Sequence, residues 1–125
     1  MSQATKGLFT GMEVAVGTAV ANSTEIAFEE YIRGFVFIPP TSAIVQLNWL
    51  VAERLDAAAQ SISATKNSVT GLSQNYMVPI NPDGSAVTQA VSPGKAYPIP
   101  AILAGAAALK IIGNAAGVVI VCLKS

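Results

Sequence analysis

The chain has 125 residues, enough for one ordinary domain and too few for two. Its 7 basic and 7 acidic residues cancel, and charged residues make up only 11% of the sequence, against about 25% in an average soluble domain. A hydrophobic content of 52% excludes an intrinsically disordered chain. The sequence also lacks a cluster of Lys and Arg, which argues against nucleic-acid binding because phosphate neutralisation needs clustered cations.

The residue types argue against catalysis and metal binding. The sequence contains no histidine, which is the usual general base near neutral pH and the commonest nitrogen ligand of metals. Cys122 lies in an apolar run that favours a buried, inert thiol, and Lys110 stands alone as a candidate base. Glu25, Glu29 and Asp83 are carboxylates without the spacing of a calcium-binding loop. We therefore expect no enzyme activity, no cofactor and no metal site.

Two segments bear on secretion and on membrane insertion. The N-terminal residues lack the sustained apolar stretch of a signal peptide, so we expect no secretion. Residues 101–123 are the most apolar window, but Lys110 and Asn114 lie inside it and several glycines interrupt it. This pattern favours two strands joined by a turn over one membrane-spanning helix, and we expect no membrane partner.

Alternating β-branched residues predict the first strands. Residues 13–20 place valine and threonine at every second position, which is the period of a strand. Residues 31–38 form a second strand that ends at Pro39 and Pro40, because proline has no amide donor for a ladder. Apolar side chains occur on both faces of this second strand. It should therefore be covered on both sides, within a sandwich or at a contact between subunits.

The middle of the chain is harder to assign. Residues 43–51 fit both an alternating strand and a helical stripe, and good helix formers follow in residues 52–60. The preceding prolines and the strand-like character of the remaining sequence favour a strand that ends near Val51. Residues 61–74 are rich in Ser, Thr, Asn and Gly, which predicts an exposed loop.

The second half of the chain predicts two hairpins. Residues 76–91 surround an Asn-Pro-Asp-Gly turn that begins at Asn81. Residues 107–112 and 118–123 flank a Gly-Asn-Ala-Ala stretch, and we expect them to pair as a closing antiparallel hairpin. The count of about seven to eight short strands predicts an all-β fold, an antiparallel β-sandwich or jelly roll.

The surface of such a domain would carry few charges to prevent association. A small, neutral β domain has weak protection against pairing between strand edges. We therefore expect the chain to bury part of its surface in a symmetric oligomer or in a larger assembly.

The aromatic residues support an alternative function. Tyr31, Trp49, Tyr76 and Tyr97 could form a platform for a sugar ring, although Trp49 fits better as a core residue. Tyr76 and Tyr97 lie beside turns and are expected to be exposed. The alternative is a carbohydrate-binding module, or a tail or adhesin component, with a glycan as partner.

Several motifs follow one another in a characteristic order. The run GFVFIPP begins at Gly34 and joins two strands through prolines, and the run YPIPAILAGA begins at Tyr97. A Lys-Ile strand at Lys110, a small polar turn from Gly113 and a last strand that ends at Lys124 complete the order. This order resembles that of small virion proteins of tailed bacteriophages.

The resemblance implies a capsid decoration, or cement, protein of jelly-roll or sandwich fold. Such a protein would be made in the host cytoplasm, reside on the capsid surface of the virion, form a homotrimer and bind the major capsid protein. A component of the head-tail connector is a second alternative.

Partner contacts are expected on protruding segments, because a closed sandwich must reach its neighbours through them. Residues 1–10 would form an N-terminal arm and residues 11–125 the sandwich domain. The expected contact residues are Leu8 and Phe9 in the arm, Lys66 and Asn67 in the loop, and Tyr76 and Tyr97 beside the turns.

Overall fold

The computed structural model describes residues 9–28, 33–56 and 75–124, which contain eight β-strands and two short 3-10 helices. The strands are β1 (Phe9–Val16), β2 (Ile26–Ala27), β3 (Arg33–Phe37), β4 (Gln46–Ala52), β5 (Thr88–Ala90), β6 (Ala96–Pro98), β7 (Ala108–Gly113) and β8 (Gly117–Lys124). The 3-10 helices are Val20–Asn22 and Ala101–Leu103.

The strands form two four-stranded sheets. The first sheet has the order β1-β8-β3-β6, and the second has the order β2-β7-β4-β5. Every pair of neighbouring strands is antiparallel. This confirms the predicted all-β sandwich.

The main core lies between the two sheets. From the first sheet, β8 contributes Val119, Val121 and Leu123, all with 0% exposure, at alternating positions. From the second sheet, β4 contributes Leu47 and Trp49. The prediction that Trp49 is a core residue is confirmed. Alternation of this kind is what a sheet with one face on the core requires.

The segment that fitted both a strand and a helix is a strand. β4 lies between β7 and β5, and its N-terminal end is held by a side chain from the connection between β7 and β8. Asn114 Oδ1 accepts the amide protons of Val45 at 2.8 Å and Gln46 at 3.1 Å. Asn114 is far from Val45 and Gln46 in the sequence. Local propensity therefore does not reveal that these hydrogen bonds favour the strand.

The first strand has different ends from those predicted. β1 stops at Val16, because the amide of Gly17 donates to Ser23 Oγ at 3.0 Å and a 3-10 helix follows. At its other end, Phe9 and Thr10 already pair with β8. The sheet therefore takes in the last two residues of the predicted N-terminal arm.

The predicted closing hairpin is wrong. β7 and β8 are consecutive in the chain, but β7 belongs to the second sheet and β8 to the first. Each is already flanked by two other strands, and the Gly113 amide donates across the sandwich to the Gly17 carbonyl at 2.9 Å. The turn between them is an arch that connects the two sheets.

The other predicted hairpin is confirmed over residues 79–87. Ile80 and Ala86 pair as an antiparallel bridge, and Gly84 has the positive φ, +89°, that its place in the turn requires. The predicted loop at residues 61–74 lies outside the described residues. Within the described segments, no helix is long and apolar enough to cross a membrane.

Candidate functional site

The side of the first sheet that points away from the core is mostly apolar, and we call it the outer face. Alternation along each strand determines which residues it contains. They are Gly11, Glu13 and Ala15 of β1, Arg33, Phe35 and Phe37 of β3, Ala96 and Pro98 of β6, and Val118, Ile120, Cys122 and Lys124 of β8. Val118 is 46% exposed and Phe35 is 37% exposed. Large apolar side chains that share an exposed surface are typical of an interaction site.

Strand register arranges the outer face in rows across the sheet. In the central row, Gly11 and Phe35 flank Cys122, and Pro98 follows beyond Phe35. The next row contains Glu13, Ile120, Phe37 and Ala96. Beyond it, Ala15 pairs with Val118. Apolar side chains therefore continue through three successive rows without a break wider than one residue.

The charges of the outer face lie in separate rows. Glu13 lies in the row beside the central one, next to Ile120. Arg33 of β3 and Lys124 of β8 are register partners in the row on the opposite side of the centre. The face thus has an acidic side and a basic side with apolar residues between them, an arrangement that favours one orientation of a partner over others.

Cys122 differs from the prediction of a buried thiol. It is half-buried and lies in the central row of the outer face. A Cβ atom placed on Gly11 would lie 3.8 Å from Cys122 Sγ, so the thiol is directed toward the β1 side of this face. Cys122 is therefore positioned to report on whatever covers the outer face.

The predicted contact residue Tyr76 is not exposed. Its side chain is 0% exposed, and its hydroxyl donates a hydrogen bond to the carboxylate of Glu25. The ring packs with Leu50 and Ala108 in a small cluster on the far side of the second sheet. The prediction that Tyr76 is exposed is wrong, because a turn in the sequence does not reveal that the residue before it lies over a sheet.

The described part of the chain does not bring Tyr97 together with the other predicted contact residues. Tyr97 is half-buried, packs against the main core and accepts the amide proton of Ser92 at 2.7 Å. Its predicted exposure is therefore only partial. Phe9 lies in β1. Leu8, Lys66 and Asn67 lie outside the described residues.

Lys110 does not stand alone, contrary to the prediction from the sequence. Its ammonium donates to the Val20 carbonyl at 2.9 Å and lies 5.2 Å from the centroid of the Tyr76 ring. Glu25, which accepts from Tyr76, also accepts the amide proton of Asp56 at 2.8 Å. A buried cation, a ring and a carboxylate therefore hold three chain segments against the second sheet.

Burial shifts the acid-base properties of this cluster. Desolvation, followed by the hydrogen bond to Glu25, raises the pKa of Tyr76 well above its ordinary value. Desolvation lowers the pKa of Lys110, and the attraction of Glu25 opposes this shift. Both side chains are enclosed, so their contacts tie distant chain segments together on this side of the second sheet.

One cleft lies at the end of the sandwich, between the proline turn after β3 and the start of β8. Its volume is about 390 Å³, and it is lined by Pro39, Thr41, Ser42, Ala43, Ala116, Gly117 and Val118. These lining residues include neither an aromatic ring nor a charged group. With Trp49 and Tyr76 buried elsewhere, the described residues do not assemble the aromatic platform considered for a glycan.

Two segments of the sequence contain a signal for the outer face. Residues 31–38 and 118–123 both carry apolar side chains at odd and even positions, which implies cover on two sides. The missing information was register. Only the pairing of β8 with both β1 and β3 brings Val118, Ile120 and Phe35 onto one surface.

No protein-family model, curated protein or solved structure matches the chain. Among the described residues, no group of three or more His, Cys, Asp or Glu side chains is placed to hold a metal ion. The outer face is therefore the candidate functional site among the described residues.

Proposed function

We propose that this chain is a structural protein of a virion, a decoration or cement protein that stabilises the capsid of a tailed bacteriophage. The observation that carries the proposal is the apolar outer face, with Val118 and Phe35 exposed on a regular sheet. Covering a sheet face of this composition with another surface is favourable, because it removes apolar area from water. The low charge of the chain supports the same conclusion, because few ionised groups oppose association.

The strand order supports the jelly-roll form of this proposal. The first and last strands are neighbours in the first sheet, and the chain passes between the sheets at most of its connections. Eight-stranded jelly rolls are common among viral capsid and lectin domains. The resemblance of the GFVFIPP and YPIPAILAGA motifs to virion proteins favours the capsid role over the lectin role.

The proposed protein would act by mass action on the shell. An interface that exists only in the assembled particle stabilises that particle relative to its separate parts. Weak contacts become effective when many copies link neighbouring capsomers, because each further contact is then made at high effective concentration. The partners in this proposal are the major capsid protein and other copies of this chain.

Copy number and position on purified particles test the proposal. Quantitative mass spectrometry of particles from cells that express the gene should find the chain in numbers comparable to the capsid protein. Imaging should place it over the whole shell. A count of about a dozen copies at one vertex would replace this role with that of a connector component, since connectors are closed rings of few subunits. Absence from particles would overturn the proposal.

A further inference from the structure

We propose that the outer face binds a second copy of this chain, face to face, about a two-fold axis that runs along its central row. This inference deepens the proposed function, on which it rests, by naming the partner of the outer face. A two-fold contact uses the same patch on both copies, so the patch must complement itself. The rows of the outer face satisfy that condition in charge.

The row pattern determines the axis. An axis parallel to the rows and passing through Cys122 and Phe35 leaves the central row facing its own counterpart. It also exchanges the row on one side of the centre with the row on the other side. The row of Glu13 and Ile120 then faces the row that contains Arg33 and Lys124 of the other copy.

Charge complementarity favours this orientation over its alternatives. With the axis along the rows, Glu13 faces the row that holds the two cations of the other copy, with Lys124 one strand away and Arg33 two strands away, and the same contact occurs twice. With the axis along the strands, each row faces itself, and Arg33 and Lys124 would repel the same pair in the other copy. Opposite charges at the margin of an apolar contact select orientation more than they add affinity.

The size of the outer face sets the expected strength. Four strands at about 4.8 Å spacing give a sheet roughly 19 Å across, which is a small contact. Interfaces of this size lie near the lower limit for specific association. We therefore expect a dimer that forms at concentrations on the order of 10 to 100 µM and that becomes fully populated where copies are crowded on a surface.

Sedimentation equilibrium over a range of protein concentrations tests the pairing. Phe35→Glu places a carboxylate in the central row, which faces its own counterpart across the axis, and should weaken dimerisation by about 100-fold or more, because the charge would lose its water. Val78→Glu is the matched control: Val78 is 38% exposed, against 37% for Phe35, but it lies beside the second sheet, between the bridges of Met77 and Ile80. The control should dimerise like the unmodified chain.

A charge exchange tests the orientation. Glu13→Lys should weaken the dimer by about threefold to tenfold, since it sets like charges against each other twice. Adding Arg33→Glu and Lys124→Glu to that variant should restore the affinity. Circular dichroism of each variant establishes that the sandwich is intact. Loss of affinity that the second set of changes does not restore would overturn the proposed axis.

The outcomes separate this inference from the virion role. A dimer that Phe35→Glu abolishes and Val78→Glu retains supports the pairing. A trimer, or a chain that stays monomeric up to about 1 mM, overturns it. A monomer that still covers purified particles would overturn the pairing alone. A dimer that is absent from particles would support the pairing and overturn the proposed function.

Discussion

The ammonium group of Lys110 lies 2.9 Å from the carbonyl oxygen of Val20, on the side of the second sheet that faces away from the main core. This contact joins a central strand to the 3-10 helix that follows β1. The Tyr76 ring lies over the same cation and sends its hydroxyl to Glu25. The second sheet is therefore covered on both sides by its own chain over this area, whereas the outer face of the first sheet is apolar and partly exposed.

Lys110→Met should destabilise the fold. The variant keeps the length of the side chain but removes the cation that bonds to Val20 and contacts Tyr76, so we expect a loss of about 1 to 3 kcal/mol. Urea denaturation followed by circular dichroism measures it. The control is Lys95→Met at an exposed position, which should change the stability by less than about 0.5 kcal/mol. Equal effects would show that the Lys110 contacts contribute nothing specific.

Tyr76 should make the fold sensitive to alkali. Its pKa is raised in the folded state, so its contribution is complete below pH of about 10 and is lost above it as the unfolded chain ionises. Lys110 acts in the opposite direction, because its pKa is lowered and its burial penalty shrinks as the pH rises. The Tyr76 shift is the larger of the two and should dominate.

The difference between the unmodified chain and Tyr76→Phe isolates this effect. Above about pH 10 the unmodified chain should lose up to about 1.4 kcal/mol per pH unit relative to the variant. Unfolding curves between about pH 8 and 11, followed by the fluorescence of Trp49, provide the measurement. Parallel stability profiles for the two proteins would contradict the role assigned to Tyr76.

Two glycines beside β8 should respond very differently to alanine. A Cβ atom on Gly34 would clash with the carbonyl oxygen of Cys122 and lie 3.1 Å from Leu123 Cα, so backbone would have to move. We expect Gly34→Ala to cost about 1 to 3 kcal/mol. On Gly11 the nearest atom would be Cys122 Sγ at 3.8 Å, an ordinary contact. Gly11→Ala should therefore be nearly neutral in thermal unfolding, and a similar loss in both variants would refute the close approach at Gly34.

Asn114 should hold the start of β4. Asn114→Ala removes the acceptor of the Val45 and Gln46 amides and should cost about 1 kcal/mol, with faster hydrogen exchange at those two amides. Asn114→Asp keeps an acceptor oxygen at the same position and should preserve their protection. Unchanged exchange in the alanine variant would show that the side chain is not what orders this end of the strand.

Local patterns predicted the sandwich because its strands alternate and its turns carry proline and glycine. Val119, Val121 and Leu123 have the period of a strand with one face on the core, and the Asn-Pro-Asp-Gly turn contains the glycine whose positive φ the hairpin needs. These features depend on neighbouring residues alone. They were sufficient for the number of strands and for the fold class.

Pairing partners decided the features that were predicted wrongly. The Gly-Asn-Ala-Ala stretch fits a hairpin and an arch equally well, and the choice depends on Asn114 bonding to Val45 and Gln46 some 70 residues away. Tyr76 is buried because Glu25 and Lys110 meet it from distant segments. The outer face likewise follows from register, which no single segment encodes.

If a partner covers the outer face, Cys122 provides the most direct measurement of this cover. The thiol lies in the central row, so its reaction with an uncharged thiol reagent reports on access to that row. The rate constant should fall as protein concentration rises and, in Phe35→Glu, should not depend on protein concentration. A rate constant that is independent of concentration in the unmodified chain, and unchanged on purified particles, would contradict the proposal that a partner covers the outer face.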